Sequence, residues 1–132
     1  MNIPHELLYT KDHEWLRIEG NEGVVGITDY AQGELGDIVF LDLPEVGKSV
    51  TQGKPFGAIE AVKAAADMNA PVSGEIIAVN PVLEQQPETI NQSPYSDGWI
   101  VRIKMSSLAE TSTLLDAVAY ARLVEQSKEA GH

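Results

Sequence analysis

Side chains able to do chemistry are plentiful in this 132-residue chain, but few stand in a working pattern. There are 20 Asp and Glu, 9 Lys and Arg, 3 His and no Cys. Without Cys there are no disulfides, no thiolate metal sites and no cysteine nucleophile, so any sulfur redox chemistry must come from an attached group. His5, His13 and His132 are scattered without metal-ligand spacing, and no metal is expected. The carboxylates include no nucleophile paired with a base, and no glycine-rich phosphate loop accompanies them. One residue is singled out by its setting instead. Lys63 stands in Gly57-Ala-Ile-Glu-Ala-Val-Lys63-Ala-Ala-Ala-Asp-Met-Asn-Ala-Pro-Val-Ser-Gly74, between a short apolar run and an alanine-rich one. A lysine met at random is a solvated surface residue, so the elements around this one decide whether it is more.

Those elements read two ways. Glu60, Ala61, Lys63 and Ala64 to Ala66 are good helix formers, and Ile59, Val62 and Ala66 recur at helical spacing. Propensity alone would draw a three-turn helix. Pro55 and Gly57 just before the stretch, with Pro71 and Gly74 just after, leave room only for a short element on each side of the lysine.

Composition narrows the class. The length suits one domain with a real core, taken as residues 1–132 with a core of about 12–105 and a helical segment of about 107–128. The formal net charge of −11 argues against nucleic acid and against an anionic membrane surface, both of which need clustered basic groups. It favours partners with basic docking faces. No apolar run approaches a bilayer span. The N-terminus is neither a signal peptide nor an Arg-rich transit peptide. With Met1 as the natural start the protein is expected in the cytoplasm; a mitochondrial matrix protein freed of its presequence would look the same.

In chain order, residues 1–12 read as an irregular arm. Glu14 to Ile18 alternates as a strand, with Leu16 and Ile18 on one face and Trp15 and Arg17 on the other. Glu19 to Gly23 is turn chemistry, and Val24 to Ile27 returns as a strand. Thr28 can cap a short helix through Leu35, closed by Gly36. Asp37 to Leu43 is a nearly continuous apolar strand stopped by Pro44, and Val50 lies in a short one. Gly74 to Val79 is another, ended by Pro81. Residues 81–98 read as a long surface excursion. Trp99 to Met105 is the clearest strand, with Trp99, Val101, Ile103 and Met105 on one face. Ser107-Leu-Ala-Glu110 has the capping-box pattern. Asp116 can cap a last helix with Ala117, Val118, Ala121 and Val124 on its apolar stripe, covering one sheet. Gln126 to His132 is expected to fray. Gly36-Asp-Ile-Val echoes Gly74-Glu-Ile-Ile on either side of Lys63, a short repeat that suggests two-fold architecture. Asn91-Gln-Ser93 matches a glycosylation acceptor without a use for it in the cytoplasm.

Nearly the whole chain resembles the glycine cleavage system H protein family. The resemblance rests on Glu60-Ala-Val-Lys63-Ala with Asp67 and Ala70-Pro-Val-Ser-Gly-Glu75. It also rests on His13-Glu-Trp15, Gly26-Ile-Thr-Asp29, Gly36-Asp-Ile-Val-Phe40 with Leu43-Pro44, Asn91-Gln-Ser-Pro-Tyr95 with Gly98-Trp99, and Leu114-Leu-Asp-Ala117 with Tyr120. It implies a mainly β barrel-sandwich hybrid of the lipoyl/biotinyl type, with two small antiparallel sheets, a short helix near 28–35 and C-terminal helices. It also implies a β-hairpin in place of the local helix, with Lys63 in the turn carrying lipoic acid as an amide.

The implied chain is a carrier, not an enzyme, and is expected as a monomer. Its arm would accept an aminomethyl group from a pyridoxal-phosphate glycine decarboxylase and present it to a tetrahydrofolate-dependent aminomethyltransferase. Dihydrolipoamide dehydrogenase would reoxidise the arm, and a lipoate ligase or lipoyl/octanoyl transferase would install it. Amide formation removes the charge of a lysine whose reference pKa is about 10.4. The resulting arm reaches roughly 14 Å beyond the backbone, about four extended residues. Tethering gives the cargo an effective concentration near ~1 mM for a docked partner. Small neighbours Ala61, Ala64 and Ala65 would keep the turn clear for the modifying enzyme, with Glu60, Gly47 and Gly74 as recognition elements. Glu14 and Asp67 match positions that would dock the loaded arm, with Asp12 and Glu34 adding to the field.

The pattern departs from the family at Ala61 and Ala66, where small hydroxyl residues are common, and at Glu34, where some members have histidine. Other carriers fit less well. A biotin carrier would flank its lysine with methionines rather than Val62 and Ala64. A 2-oxoacid dehydrogenase lipoyl domain would place Asp before the lysine and lack the His13-Glu-Trp15 arm and the C-terminal helices. A lipoylated carrier serving another lipoate-dependent or lipoyl-relay pathway is the alternative that stays open.

Overall fold

The computed structural model describes residues 1–130, and it settles the contest over the lysine segment in favour of strands. In chain order the elements are β1 (Leu8–Tyr9), β2 (Glu14–Glu19), β3 (Glu22–Ile27), α1 (Asp29–Leu35), β4 (Ile38–Asp42), β5 (Ser49–Val50), β6 (Pro55–Ala61) and β7 (Ala65–Asn69). There follow β8 (Gly74–Val79), a 3-10 turn (Pro81–Glu84), α2 (Thr89–Gln92), β9 (Val101–Met105), a second 3-10 turn (Leu108–Thr113) and α3 (Ala117–Ala130). They form two antiparallel sheets, one ordered β1-β2-β3-β9-β8-β5 and one ordered β4-β6-β7. The two antiparallel sheets are as expected, though unequal, six strands against three, so the two-fold echo is not carried into their size. The short sequence echo marks two strand entries. Ile38 and Ile76 are both buried, in β4 of the small sheet and β8 of the large one.

The β alternation seen in the sequence has a physical cause in two separate apolar clusters. Leu16, Val25, Val101, Ile103 and Ile76 face the small sheet's Ile38, Ile59 and Met68, and these sides make the main core. The opposite face of the large sheet presents Tyr9, Trp15 and Val24 to Ala117, Tyr120 and Val124 of α3. Strand β2 therefore buries residues on both faces, which is why Glu14, Trp15 and Leu16 are all covered. The expectation that the C-terminal helix covers one sheet holds. Its stripe holds at Ala117 and Val124 but not at Val118, which is 52% exposed, and Tyr120 joins the buried face. Tyr120 stacks on Tyr9 with ring centroids 4.6 Å apart. Trp15 donates its indole N–H to the Pro94 carbonyl at 3.0 Å.

Other local expectations divide by range. Thr28 caps α1 by accepting the Ala31 N–H, and Asp116 accepts the Ala119 N–H at 2.8 Å at the start of α3. Glu110, expected to close a capping box, reaches instead across the fold to Ser73, accepting its N–H and its hydroxyl at 2.8 Å each. The N-terminal arm is not wholly irregular, because β1 pairs with β2 and Tyr9 also bridges Leu115. The 81–98 excursion contains α2 and a 3-10 turn, and Leu83 and Ile90 are buried under it. The region expected to fray continues α3 through Ala130; residues 131–132 lie outside the described residues.

Candidate functional site

Lys63 and Val62 are the two central residues of the turn between β6 and β7, which Ala61 closes by donating its N–H to the Ala64 carbonyl at 2.9 Å. A two-residue connection between antiparallel strands is the shortest that a hairpin permits, so the lysine projects from the end of the small sheet. The turn is held from outside by main chain. Val62 N–H donates to the Asp37 carbonyl at 2.9 Å, and Lys63 N–H to the Leu35 carbonyl at 3.3 Å. Between those two carbonyls sits Gly36, at φ 81, a conformation that favours glycine. A Cβ there would also press on the aliphatic stem of Lys63, 3.2 Å from its Cγ. The stem thus lies over bare backbone, and among the described residues no ion pair engages its amine.

The loop that receives the turn is itself latched by Asn91. Its side-chain oxygen accepts the Ile38 N–H at 3.0 Å, and its NH2 donates to the Gly36 carbonyl at 2.9 Å and to Gln32 at 3.0 Å. Sequence reasoning weighed Asn91 only as a family mark and a glycosylation match, and missed this role. Nothing local signals a contact between residues 55 positions apart.

The second group of candidates lies along β7. Asp67 pairs with Ala58 on the exposed face of the hairpin. Glu14 is far less accessible, at 1% exposure. Its Oε1 accepts the Thr10 hydroxyl at 2.6 Å and its Oε2 accepts the Asn69 N–H at 3.2 Å, tying the large sheet to the small one. Burial pushes its carboxyl up to about 7, against the lowering effect of those hydrogen bonds. Glu14 shares a cleft of about 300 Å³ with Asp12, Asn69 and Lys11. Asp12 accepts the Asn69 side-chain amide at 3.3 Å, so the structure brings Asp12 to Glu14. Glu34 is not in that cleft. It accepts the Tyr30 hydroxyl at 2.9 Å, one residue before the Leu35 carbonyl that holds Lys63.

Glu14 follows a residue of unusual backbone conformation. His13 is the single non-glycine residue with positive φ among the described residues, at 72°, a conformation that costs energy and persists only where its surroundings enforce it. Its Nδ1 shares a hydrogen bond of 2.8 Å with the Tyr120 hydroxyl, which also meets Thr28 Oγ1 at 2.7 Å. Burial lowers the His13 pKa, with Asp12 and Glu34 opposing that effect.

The remaining sequence candidates fall in different places. Glu60 is exposed on β6, opposite Phe40 and Ala65. Gly47 and Gly74 do not adjoin the lysine turn. Gly47 takes φ 96 in the loop before β5, donating its N–H to Ile76, and Gly74 opens β8 rather than occupying a turn. A Cβ on Gly74 would collide with the Lys104 carbonyl, which explains glycine there by close backbone approach.

Two facing antiparallel sheets with a tight hairpin at the end of the smaller one define a barrel-sandwich fold of the lipoyl type. Comparison with known proteins sharpens the class. The family model for the glycine cleavage H-protein matches residues 7–127. Glycine cleavage system H proteins of Rubrobacter xylanophilus and Symbiobacterium thermophilum are similar to this chain. The first is 53% identical over 126 residues, covering 96% of this chain and 98% of that one. The second is 52% identical over 119 residues, covering 90% and 93%. The crystal structure of a glycine cleavage system H protein from Mycobacterium marinum superposes with a TM-score of 0.83 at 38% identity, covering 96% of this chain and 99% of that one. The chain belongs to the glycine cleavage H-protein family, whose members are carriers rather than catalysts.

Proposed function

We propose that this chain is the lipoyl carrier of a glycine cleavage system and that Lys63 is its attachment residue. The observation that carries the reading is the lysine's place, exposed in the turn between β6 and β7, held by main chain and with no ion pair to its amine among the described residues. The residues present fit the group. Ala64, Ala65 and Ala66 are exposed and small, so the turn enters an enzyme pocket without obstruction. Attached there, lipoic acid supplies a disulfide-ended arm that takes an aminomethyl group from the pyridoxal-phosphate decarboxylase, yields the carbon to the tetrahydrofolate-dependent aminomethyltransferase, and is reoxidised by dihydrolipoamide dehydrogenase.

The protein's own part is to present and to shelter. At about 3.3 Å per residue along β7, Asp67 lies roughly 13 Å from Lys63 and Asn69 roughly 20 Å. An arm of roughly 14 Å meets Asp67 easily and comes to the Glu14 cleft only when extended and loaded. Asp67, partway along β7, or Glu14, at the cleft, would accept a hydrogen bond from its terminal ammonium, typically ~1.5–3 kcal/mol for a charged pair and less at exposed Asp67. A lipoate ligase or lipoyl/octanoyl transferase installs the arm. Glu60 is its polar contact, while Gly47 and Gly74 act through the backbone shape they allow. No helix among the described residues is long and apolar enough to cross a membrane. The bacterial relatives support residence in a bacterial cytoplasm as part of this proposal.

Intact mass and peptide mapping of the protein from lipoate-replete cells test the attachment. One lipoyl mass on Lys63 is expected. Lys63→Arg, which keeps charge but offers no suitable amine, gives a folded and inert carrier. An acylated lysine elsewhere overturns the assignment. A protein acylated at Lys63 yet idle with the three glycine-cleaving enzymes would serve another lipoate-dependent pathway.

A further inference from the structure

Beside the lysine turn the small sheet breaks its own alternation. Ile38 pairs with Ala61 and Phe40 with Glu60, so the ladder carries one extra residue, Val39, between them. Ile38 and Leu41 point inward, and the bulge leaves two consecutive apolar side chains, Val39 and Phe40, each 55% exposed. Val62, next to Lys63 and 71% exposed, joins them, since its N–H binds the carbonyl of Asp37, two residues before Val39. A regular pleat would have hidden Phe40. Bulges that re-aim a side chain next to a working residue are retained features rather than faults.

The segment that carries Val39 and Phe40 has one sign of charge. Residues 28–47 hold five acids, Asp29, Glu34, Asp37, Asp42 and Glu45, and no Lys, Arg or His. Glu60 faces Phe40 from the neighbouring strand. We infer that the corner formed by Val39, Phe40 and Val62 is the seat of the enzyme that acylates Lys63, which meets it with an apolar pocket rimmed by Lys and Arg. This rests on the reading of Lys63 as the attachment residue and deepens it.

Reach selects this occupant among the partners. An enzyme acting on the finished arm meets its end roughly 14 Å from the backbone. The acylating enzyme must bring an activated lipoyl group, a mixed anhydride or thioester, to the lysine Nζ itself, and so must close on the surface around the turn. In that step the amine loses a proton to form the nucleophile, and the new C–N bond forms as the acyl carbon releases its phosphate or thiol leaving group. The amide nitrogen gives up a second proton, and nothing is oxidised. An apolar enclosure also favours the first loss, because desolvation disfavours the ammonium form.

The test is acylation of the unmodified protein by purified lipoate ligase with lipoate and ATP. Val39→Thr with Phe40→Thr should lower kcat/KM about 30-fold, chiefly through KM, as loss of a buried interface anchor does. Phe40→Leu, which keeps the apolar bulk, should restore most of the rate. Phe40→Lys, a single change at an exposed position, should slow acylation as well by setting a cation against a basic rim. The wild-type rate should fall as salt is raised. Val118→Thr on α3, similarly exposed at 52%, should change nothing. Wild-type kcat/KM in both the double variant and Phe40→Lys overturns the inference, as does an equal loss in Val118→Thr. Normal acylation with slowed loading by the decarboxylase assigns the corner to that enzyme and overturns it too. A wild type that takes no acyl group at Lys63 fails the attachment reading instead, and peptide mapping shows this before any variant is compared.

Discussion

The lysine turn and the aromatic cluster under α3 are built by opposite means. At the turn, main-chain atoms do the holding: Leu35, Gly36 and Asp37 receive Val62 and Lys63, and the lysine side chain is left free. Under α3, side chains do it. Tyr9, Trp15 and Tyr120 are fully buried, and the Tyr120 hydroxyl ties His13 to Thr28. The difference fits the proposed function. A side chain proposed to enter other proteins cannot also be a strut, and here its position is set by groups that do not move with it. Between the two regions lies Glu14, a buried strut that also lines the cleft beside β7.

The largest way to break the contrast is in the aromatic cluster. Trp15→Ala removes a fully buried indole and should cost about 3–5 kcal/mol of stability, seen as a large fall in denaturant midpoint. The fraction still folded should be acylated at the wild-type rate, because no turn contact involves Trp15. An acylation defect in folded protein would mean that the regions are coupled.

Glu14 gives the next effect, in pH. Its folded pKa of about 7 stands above an unfolded value of 4.5. The folded state therefore binds the proton more tightly. The contribution is fully present below about pH 4.5 and is lost as pH rises through about 7, roughly 3 kcal/mol at most. Urea titrations from pH 4.5 to 8 should show that loss, and Glu14→Gln should flatten it. In the loaded protein the same ionisation works the other way. Only ionised Glu14 pairs with an ammonium, so spontaneous ammonia release should quicken as pH falls below about 7. Glu14→Gln with Asp67→Asn should release faster than wild type at neutral pH, and an unchanged lifetime at low salt would remove the docking role.

Asn91→Ala probes the latch behind the turn. It strands the Ile38 N–H and the Gly36 carbonyl, a loss of about 1–3 kcal/mol. Slower acylation by the ligase should accompany it, since the turn's support is loosened; full acylation activity would show that the Leu35 and Asp37 carbonyls suffice. The smallest effect belongs to Glu60→Gln, an exposed residue whose loss should leave stability within about 0.5 kcal/mol. A lowered acylation rate with unchanged stability marks Glu60 as a recognition contact, and equal rates remove it from the site.

Much of the scaffold was legible because its signals are short-range. Alternation marks β2 and β9, and Thr28 and Asp116 cap the helices they precede. Lys63 stood out by the family motif around it. What stayed hidden shares one property, dependence on partners distant in sequence. Glu110 answers Ser73 instead of its own helix, and Asn91 latches Gly36. Arg102 joins Glu19 and Glu22 in an exposed cluster on neighbouring strands.

The amino-acid sequence by itself determined the main strands, the caps of α1 and α3, and the charge any partner must meet. These follow from side-chain period, from the restricted backbone of Gly and Pro, and from counting. Only the tertiary structure decided that Ala61 to Ala66 would turn rather than coil. The helix preference there amounts to tenths of a kcal/mol per residue, and pairing β6 with β4 and β7 while burying Ile59 and Met68 outweighs it. The same packing decided that Glu14 would lose its water and hold a pKa near 7, whereas Asp67, four residues from Lys63, keeps its solvent. Burial is a property of what folds over a residue, and no window of sequence contains it.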